Sequence, residues 1–83
     1  MNEAIIRQKI RDYVLAELLH ESDYDLADNE GIITELYIDS FALAELGVFI
    51  EQEFDVYIPD PDLTVEKMDT LNLIVARVMR DLD

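Results

Sequence analysis

Asp39-Ser40-Phe41-Ala42-Leu43-Ala44-Glu45-Leu46-Gly47-Val48-Phe49-Ile50-Glu51-Gln52-Glu53-Phe54 carries the strongest structural signal in the chain. Leu43, Leu46, Gly47, Ile50 and Phe54 fall at i, i+3, i+4, i+7 and i+11, so the run reads as an α-helix with that stripe against a core. Phe41, Ala44 and Val48 lie on an adjoining face beside Glu45, Glu51 and Gln52. Apolar groups ringed by acids fit a docking surface, and they equally fit a small bundle that simply buries Phe41. Gly47 costs about 1 kcal/mol relative to alanine in a helix interior, so it either permits a close helix contact or leaves room for a guest. Asp39 or Ser40 is expected to cap the helix.

Working outward, Ile6, Ile10, Tyr13, Val14 and Leu18 recur at helical spacing and predict a first helix from about Glu3 to Leu19. A long, acidic, turn-rich connection follows from Glu21 to Asp39, with Ile32, Ile33, Leu36 and Ile38 as the residues expected to pin it to the core. Beyond Phe54, Pro59 and Pro61 end the following segment, Leu63 to Met68 is expected to hold a short helical turn beginning at Thr64, and a final helix from about Thr70 to Leu82 carries Leu71, Ile74, Val75, Val78 and Leu82 on one face. Asp55-Val56-Tyr57-Ile58 alternates weakly, but one short extended piece makes no sheet. The expected fold class is therefore all-α: a small four-helix bundle, three main helices plus a short one, with a long loop between the first and second. No repeat, low-complexity tract or internal linker divides the chain, and residues 1–83 read as one domain.

A domain of 83 residues buries only about 60% of its unfolded surface, so it must pack well. A net charge of -14 raises the question of disorder, but 51% hydrophobic content with clear periodicity answers it in favour of a fold. The absence of cysteine rules out disulfides and thiolate metal sites, and leaves the redox compartment open. Met1 to Arg11 mixes charges with Ile5, Ile6 and Ile10, unlike a signal peptide, and no run approaches membrane-spanning length, so the cytoplasm is the expected location. All six basic residues lie near the ends, and between Asp12 and Glu66 there are sixteen acids and no Lys or Arg. Such a field repels nucleic acid and speeds encounter with basic surfaces, although a merely soluble acidic surface carries the same excess.

The chemistry-bearing residues are few. A nucleophilic serine needs a base and an orienting group, yet the only histidine is His20, there is no Gly-x-Ser-x-Gly elbow, and Gly31 and Gly47 form no phosphate cradle. No catalytic residue is assigned, and Ser40 is left as an acceptor modified by another enzyme. Free N–H groups and the positive dipole end at a helix start favour a phosphate there, even in an acidic chain. Asp23, Asp25, Asp28 and Glu30 suggest a cation-binding loop, but counting from Asp23 the fifth position is Ala27 and the sixth is Asp28 rather than glycine, so no metal site is expected.

Ile38-Asp39-Ser40-Phe41, then Glu45-Leu46, Ile50-Glu51-Gln52-Glu53-Phe54-Asp55-Val56, Ile58-Pro59-Asp60 and, more loosely, Met68-Asp69-Thr70-Leu71 resemble the acyl and peptidyl carrier proteins. The resemblance spans nearly the whole chain, with the first helix matched in pattern only. An Asp-Ser pair alone is a weak signal; followed at this spacing by Glu-Phe-Asp and Ile-Pro-Asp in a small acidic chain, it is specific. The resemblance implies a four-helix bundle whose Ser40 is converted by a phosphopantetheinyl transferase, using coenzyme A, into a 4'-phosphopantetheine ester. The terminal thiol of that arm would carry acyl or aminoacyl groups as thioesters for a fatty-acid, polyketide, nonribosomal-peptide or D-alanyl type pathway. It further implies a monomer without catalytic activity of its own. Asp39, Phe41, Ala44, Glu45, Val48 and Glu51 would then meet basic patches on the transferase and on acyl or aminoacyl ligases and synthases.

Two features depart from the family pattern. Leu36 and Tyr37 stand where many carriers have glycine shortly before the Asp-Ser pair, which shapes the loop entry differently, and Phe41 is bulkier than the leucine often found after the serine. The stretch from Asp60 to Leu71 is more similar to freestanding carriers of specialised pathways than to the main fatty-acid carrier. An alternative from another class is an acidic helical adaptor or inhibitor that docks through the same surface and is never modified.

Overall fold

A computed structural model of the chain describes residues 2–82. The Asn2 side-chain oxygen accepts the Ile5 N–H at 2.9 Å and starts α1, Glu3–Tyr13, which buries Ile6 and Ile10. From Val14 to Leu18 the helix widens into a single π turn, with the Leu19 N–H donating to the Val14 carbonyl at 2.8 Å. The periodicity predicts an unbroken α-helix to Leu19, and the departure has a packing cause. Val14-Leu15 and Leu18-Leu19 are two adjacent apolar pairs, and an i to i+5 turn brings Leu19 over Val14, so both pairs face one side. Val14 and Leu15 are buried, and Leu18 and Leu19 are half-buried against the same core.

The second helix, α2, spans Ser40–Phe54 and closes on Asp55, whose left-handed backbone (φ 57°) returns its N–H to the Glu51 carbonyl at 2.9 Å. Its stripe of Leu43, Leu46, Gly47, Ile50 and Phe54 is buried as the spacing predicts. The chain then runs extended, with Val56 and Ile58 buried and Tyr57 exposed, into a 3-10 turn at Asp60–Asp62. One helical turn, α3 at Val65–Met68, buries Met68, and α4 at Leu71–Asp81 is capped by the Thr70 hydroxyl, which accepts the Leu73 N–H at 3.1 Å. No strand is present among the described residues. α1, α2 and α4 point their apolar stripes inward, with Ile6, Ile10, Leu46, Ile50, Ile74 and Val78 fully buried, and α3 with the long loop closes the remaining side. The Cα radius of gyration is 11.5 Å, close to the roughly 12 Å expected of a compact chain of this length.

The long loop is held by Asp69, at the junction of α3 and α4. Its Oδ1 accepts the N–H groups of Ile33 (2.8 Å) and Thr34 (3.0 Å), its Oδ2 accepts the Thr34 hydroxyl (2.8 Å), and its carbonyl accepts the Ile32 N–H (2.6 Å). Burial alone raises the Asp69 pKa, but these hydrogen bonds from Thr34 and Ile33 outweigh it and hold the carboxyl below its ordinary value. Gly31 is required at the same place, because a Cβ there would collide with the Thr34 hydroxyl and press on Asp69. Ile32 and Leu26 are buried, while Ile33, Leu36 and Ile38 pack half-buried against the core, so the expected anchors hold and Leu26 joins them.

Candidate functional site

Ser40 occupies the first position of α2 and is exposed. Asp39 is the cap: its Oδ1 accepts the Ala42 N–H at 2.8 Å, and its carbonyl accepts the first intrahelical bond, from Leu43, at 3.0 Å. The N–H groups of Ser40 and Phe41 precede that bond and have no partner in the helical ladder. They and the helix dipole favour an anionic group on the Ser40 oxygen, while the nearby Asp39 carboxylate offsets part of that field. His20, exposed at the end of the π turn, lies outside this cluster in the chain, and no group of three or more acidic or histidine side chains is placed to hold a metal among the described residues.

The remaining predicted residues form one outward face. Phe41 is 73% exposed and Val48 54%, and Ala44, Glu45 and Glu51 are exposed as well, which decides between the two readings of Phe41: the bundle does not bury it. Ala44, Val48 and Glu51 line a cleft of about 160 Å³ shared with Gly47, Tyr57, Ile58 and Leu63. Glu45 and Val48 line a second cleft, of about 260 Å³, with Tyr13, Phe49 and Gln52. Val48 is thus the ridge between two depressions, whereas Asp39 and Phe41 line neither and sit at the helix start.

The supports of this face come from elsewhere in the chain. Tyr13 stacks on Phe49 with ring centroids 4.1 Å apart and planes 13° from parallel, and its hydroxyl donates to the Glu45 carbonyl at 3.4 Å. Burial and then the charges of Glu45 and Glu17 push the Tyr13 pKa up, keeping it a donor. On the other side, Leu63 lies 3.4 Å from where a Gly47 Cβ would stand, ordinary van der Waals contact, so the helix surface there has room for a methyl group. The turn before Leu63 is fastened through Asp62, which accepts from Lys67 (2.7 Å) and from buried Arg77 (3.2 and 3.0 Å), while Arg77 also reaches Asp81 (2.7 Å). Lys67 and Arg77 together hold the Asp62 carboxyl below its ordinary range against its desolvation.

The charges separate by face. Arg7 and Arg11 pair with Asp28, Lys9 with Glu53, Lys67 and Arg77 with Asp62, and Arg80 with Asp81, so every basic residue is engaged within the chain. None of the described ion pairs includes Asp39, Glu45 or Glu51. The face that starts at Ser40 is therefore negative, partly apolar and without internal cations.

Sequence reasoning missed Asp69, Gly31, Arg77 and Tyr13 as supports of the site. Asp69, Arg77 and Tyr13 meet partners 36, 15 and 32 residues away, and Gly31 is fixed by the fold of its own turn against the Thr34 hydroxyl, so helical periodicity marks none of them.

No family model matches the chain. It is 32% identical over 78 residues to the acyl carrier protein of Akkermansia muciniphila, covering 94% of each chain. It is also 31% identical over 80 residues to the acyl carrier protein of Chlorobium luteolum and 30% identical over 80 residues to that of Chlorobium phaeobacteroides, covering 96% of this chain and 99% of each relative.

Proposed function

This chain belongs to the acyl carrier protein family, and we propose that it holds acyl or aminoacyl groups as thioesters on a 4'-phosphopantetheine arm esterified to Ser40. The observation that carries the reading is the exposed Ser40 hydroxyl at the first turn of α2, on a face of unpaired acids and uncovered apolar side chains. The residues fit the group: the oxygen is accessible, and the Ser40 and Phe41 N–H groups with the dipole offset the charge of a phosphodiester. When attached, the arm supplies a terminal thiol that forms the thioester.

The chain's own residues do the rest. Ser40 provides the oxygen that forms the new bond to phosphorus, the base that removes its proton comes from the modifying transferase, and the pyrophosphate bond of coenzyme A breaks to release adenosine 3',5'-bisphosphate. Asp39, Glu45 and Glu51 steer basic enzyme surfaces, and Phe41, Ala44 and Val48 supply the apolar part of the contact. A carrier role needs only a weak, quickly formed complex, because tethering raises the local concentration of the bound group at each enzyme. Unpaired carboxylates speed encounter without a large buried interface. The proposal extends to residues 1–83 as one carrier unit, to the cytoplasm as its location, and to a transferase and acyl or aminoacyl ligases or synthases as its partners. No helix among the described residues is long and apolar enough to cross a membrane.

Incubation with coenzyme A and a broad-specificity phosphopantetheinyl transferase, followed by intact-mass measurement, tests the reading. The wild-type chain should gain one phosphopantetheine and Ser40→Ala none. Absence of any gain with several transferases would favour the unmodified adaptor.

A further inference from the structure

Packing gives no reason for a tyrosine at position 37. Its side chain is 82% exposed, so it adds nothing to the core, and its backbone lies at φ 61°, in the left-handed region that a residue with a Cβ enters only at a cost. The two other non-glycine residues with positive φ close helical segments: Asp55 ends α2, and His20 follows the π turn. Aspartate and histidine are among the residues enriched in that region; a bulky aromatic is not. Tyr37 is held there from both sides. The Ile38 N–H returns to the Ile32 carbonyl at 3.3 Å, the Leu36 N–H to the Gly31 carbonyl at 3.0 Å, and Asp69 clamps Ile33 and Thr34. The half-buried Leu36 and Ile38 face the core, and the residue between them is left to solvent.

Its distance from Ser40 is limited by the chain. Three trans peptide steps of about 3.8 Å put the two Cα atoms within roughly 11 Å of each other. A protein of ordinary interface size covers about 800 Å² of its partner, a disc of roughly 16 Å radius, so an enzyme centred on Ser40 also covers Tyr37. That enzyme meets Asp39, Glu45 and Glu51 without internal cations, and so presents basic side chains of its own. An exposed aromatic face in a negative field is a seat for a guanidinium or ammonium group.

Resting on the carrier reading, we propose that Tyr37 is a recognition residue of this chain, whose ring receives a cationic side chain of the transferase that modifies Ser40. The strained backbone persists because it presents the ring outward beside the acceptor hydroxyl.

The experiment measures initial rates of modification at saturating coenzyme A while the carrier concentration is varied, for the wild type and for Tyr37→Asn, Tyr37→Gly and Tyr37→Phe. Asparagine and glycine both accept the left-handed backbone and remove the ring; phenylalanine keeps it. The expected result is a KM for the carrier raised about fivefold or more in Tyr37→Asn and Tyr37→Gly, as for loss of an interface anchor, with kcat unchanged, Tyr37→Phe close to wild type, and melting temperatures of the Asn and Gly variants no lower than that of the parent. Equal KM values for all four chains, with the wild type fully modified, would overturn this inference and leave the carrier reading standing. A wild-type chain that gains no mass overturns the carrier reading and this inference with it.

Discussion

Gly47→Ala separates what the helix tolerates from what the site requires. Glycine in a helix interior is about 1 kcal/mol less favourable than alanine, so any cost must come from the space around the new methyl group. An alanine Cβ would stand 3.4 Å and 3.6 Å from the two Leu63 methyl carbons, ordinary van der Waals contact with the mobile end of a side chain. The substitution should therefore stabilise the chain by about 1 kcal/mol, which for a domain of this size raises the melting temperature by roughly 4–8 °C. Thermal unfolding followed by circular dichroism, with urea titration as a check, measures it. The same methyl enters the cleft of about 160 Å³ between α2 and the segment that ends at Leu63, while Ser40, seven positions earlier, is untouched. Modification of Ser40 should proceed at the parent rate. A loss of stability would mean instead that Leu63 cannot yield and that glycine is a packing requirement here.

Three other expectations follow from the same geometry. Asp69→Ala removes the acceptor for Ile33, for Thr34 and for the Thr34 hydroxyl; with part of the loss recovered from water, urea unfolding should show a destabilisation of about 2 kcal/mol, and protection of the amides of residues 31–38 from hydrogen exchange should fall. A change below about 0.5 kcal/mol would show that the loop does not depend on this carboxylate. Asp62, Asp69 and Asp81 all have folded pKa values below the ordinary 3.8, so the stability they confer is fully present above that value and is lost as pH falls through their depressed values; the urea midpoint should drop in that acid range, and a midpoint unchanged down to pH ~2 would contradict it. Salt should act with opposite signs on two properties: screening of the net charge of -14 should raise the melting temperature, whereas the same screening of Asp39, Glu45 and Glu51 should weaken capture by a basic transferase and lower its kcat/KM. A transferase rate indifferent to ionic strength would remove the acidic face from the recognition argument.

The helical stripes were legible because periodicity is a local property: Leu43, Leu46, Ile50 and Phe54, or Leu71, Ile74, Val75 and Val78, need only their own spacing to declare a buried face. The Asp39-Ser40 start of α2 was legible for the same reason, since a cap is written in the residues next to it. Phe41 was ambiguous because both faces of α2 carry apolar residues, and only the placement of α1, α4 and the loop shows which face is covered. The π turn followed from competition between two apolar pairs, Val14-Leu15 and Leu18-Leu19, for one side of a helix that periodicity treats as uniform. Asp69 and Arg77 were illegible for a different reason. Asp69 meets partners 35 and 36 residues away, and Arg77 reaches Asp62 across 15, so their roles exist only once the chain is folded. Tyr37 stood out in the sequence as a departure from glycine, but its left-handed backbone and its exposure are properties of the folded loop.

The most direct measurement is fragmentation mass spectrometry of the protein purified from its own cells, read on the peptide that contains Ser40. The expected result is a phosphopantetheine phosphodiester on that serine oxygen, with part of the population bearing an acyl or aminoacyl group on the terminal sulfur. A peptide bearing only the unmodified hydroxyl, in cells where the protein is active, would contradict it.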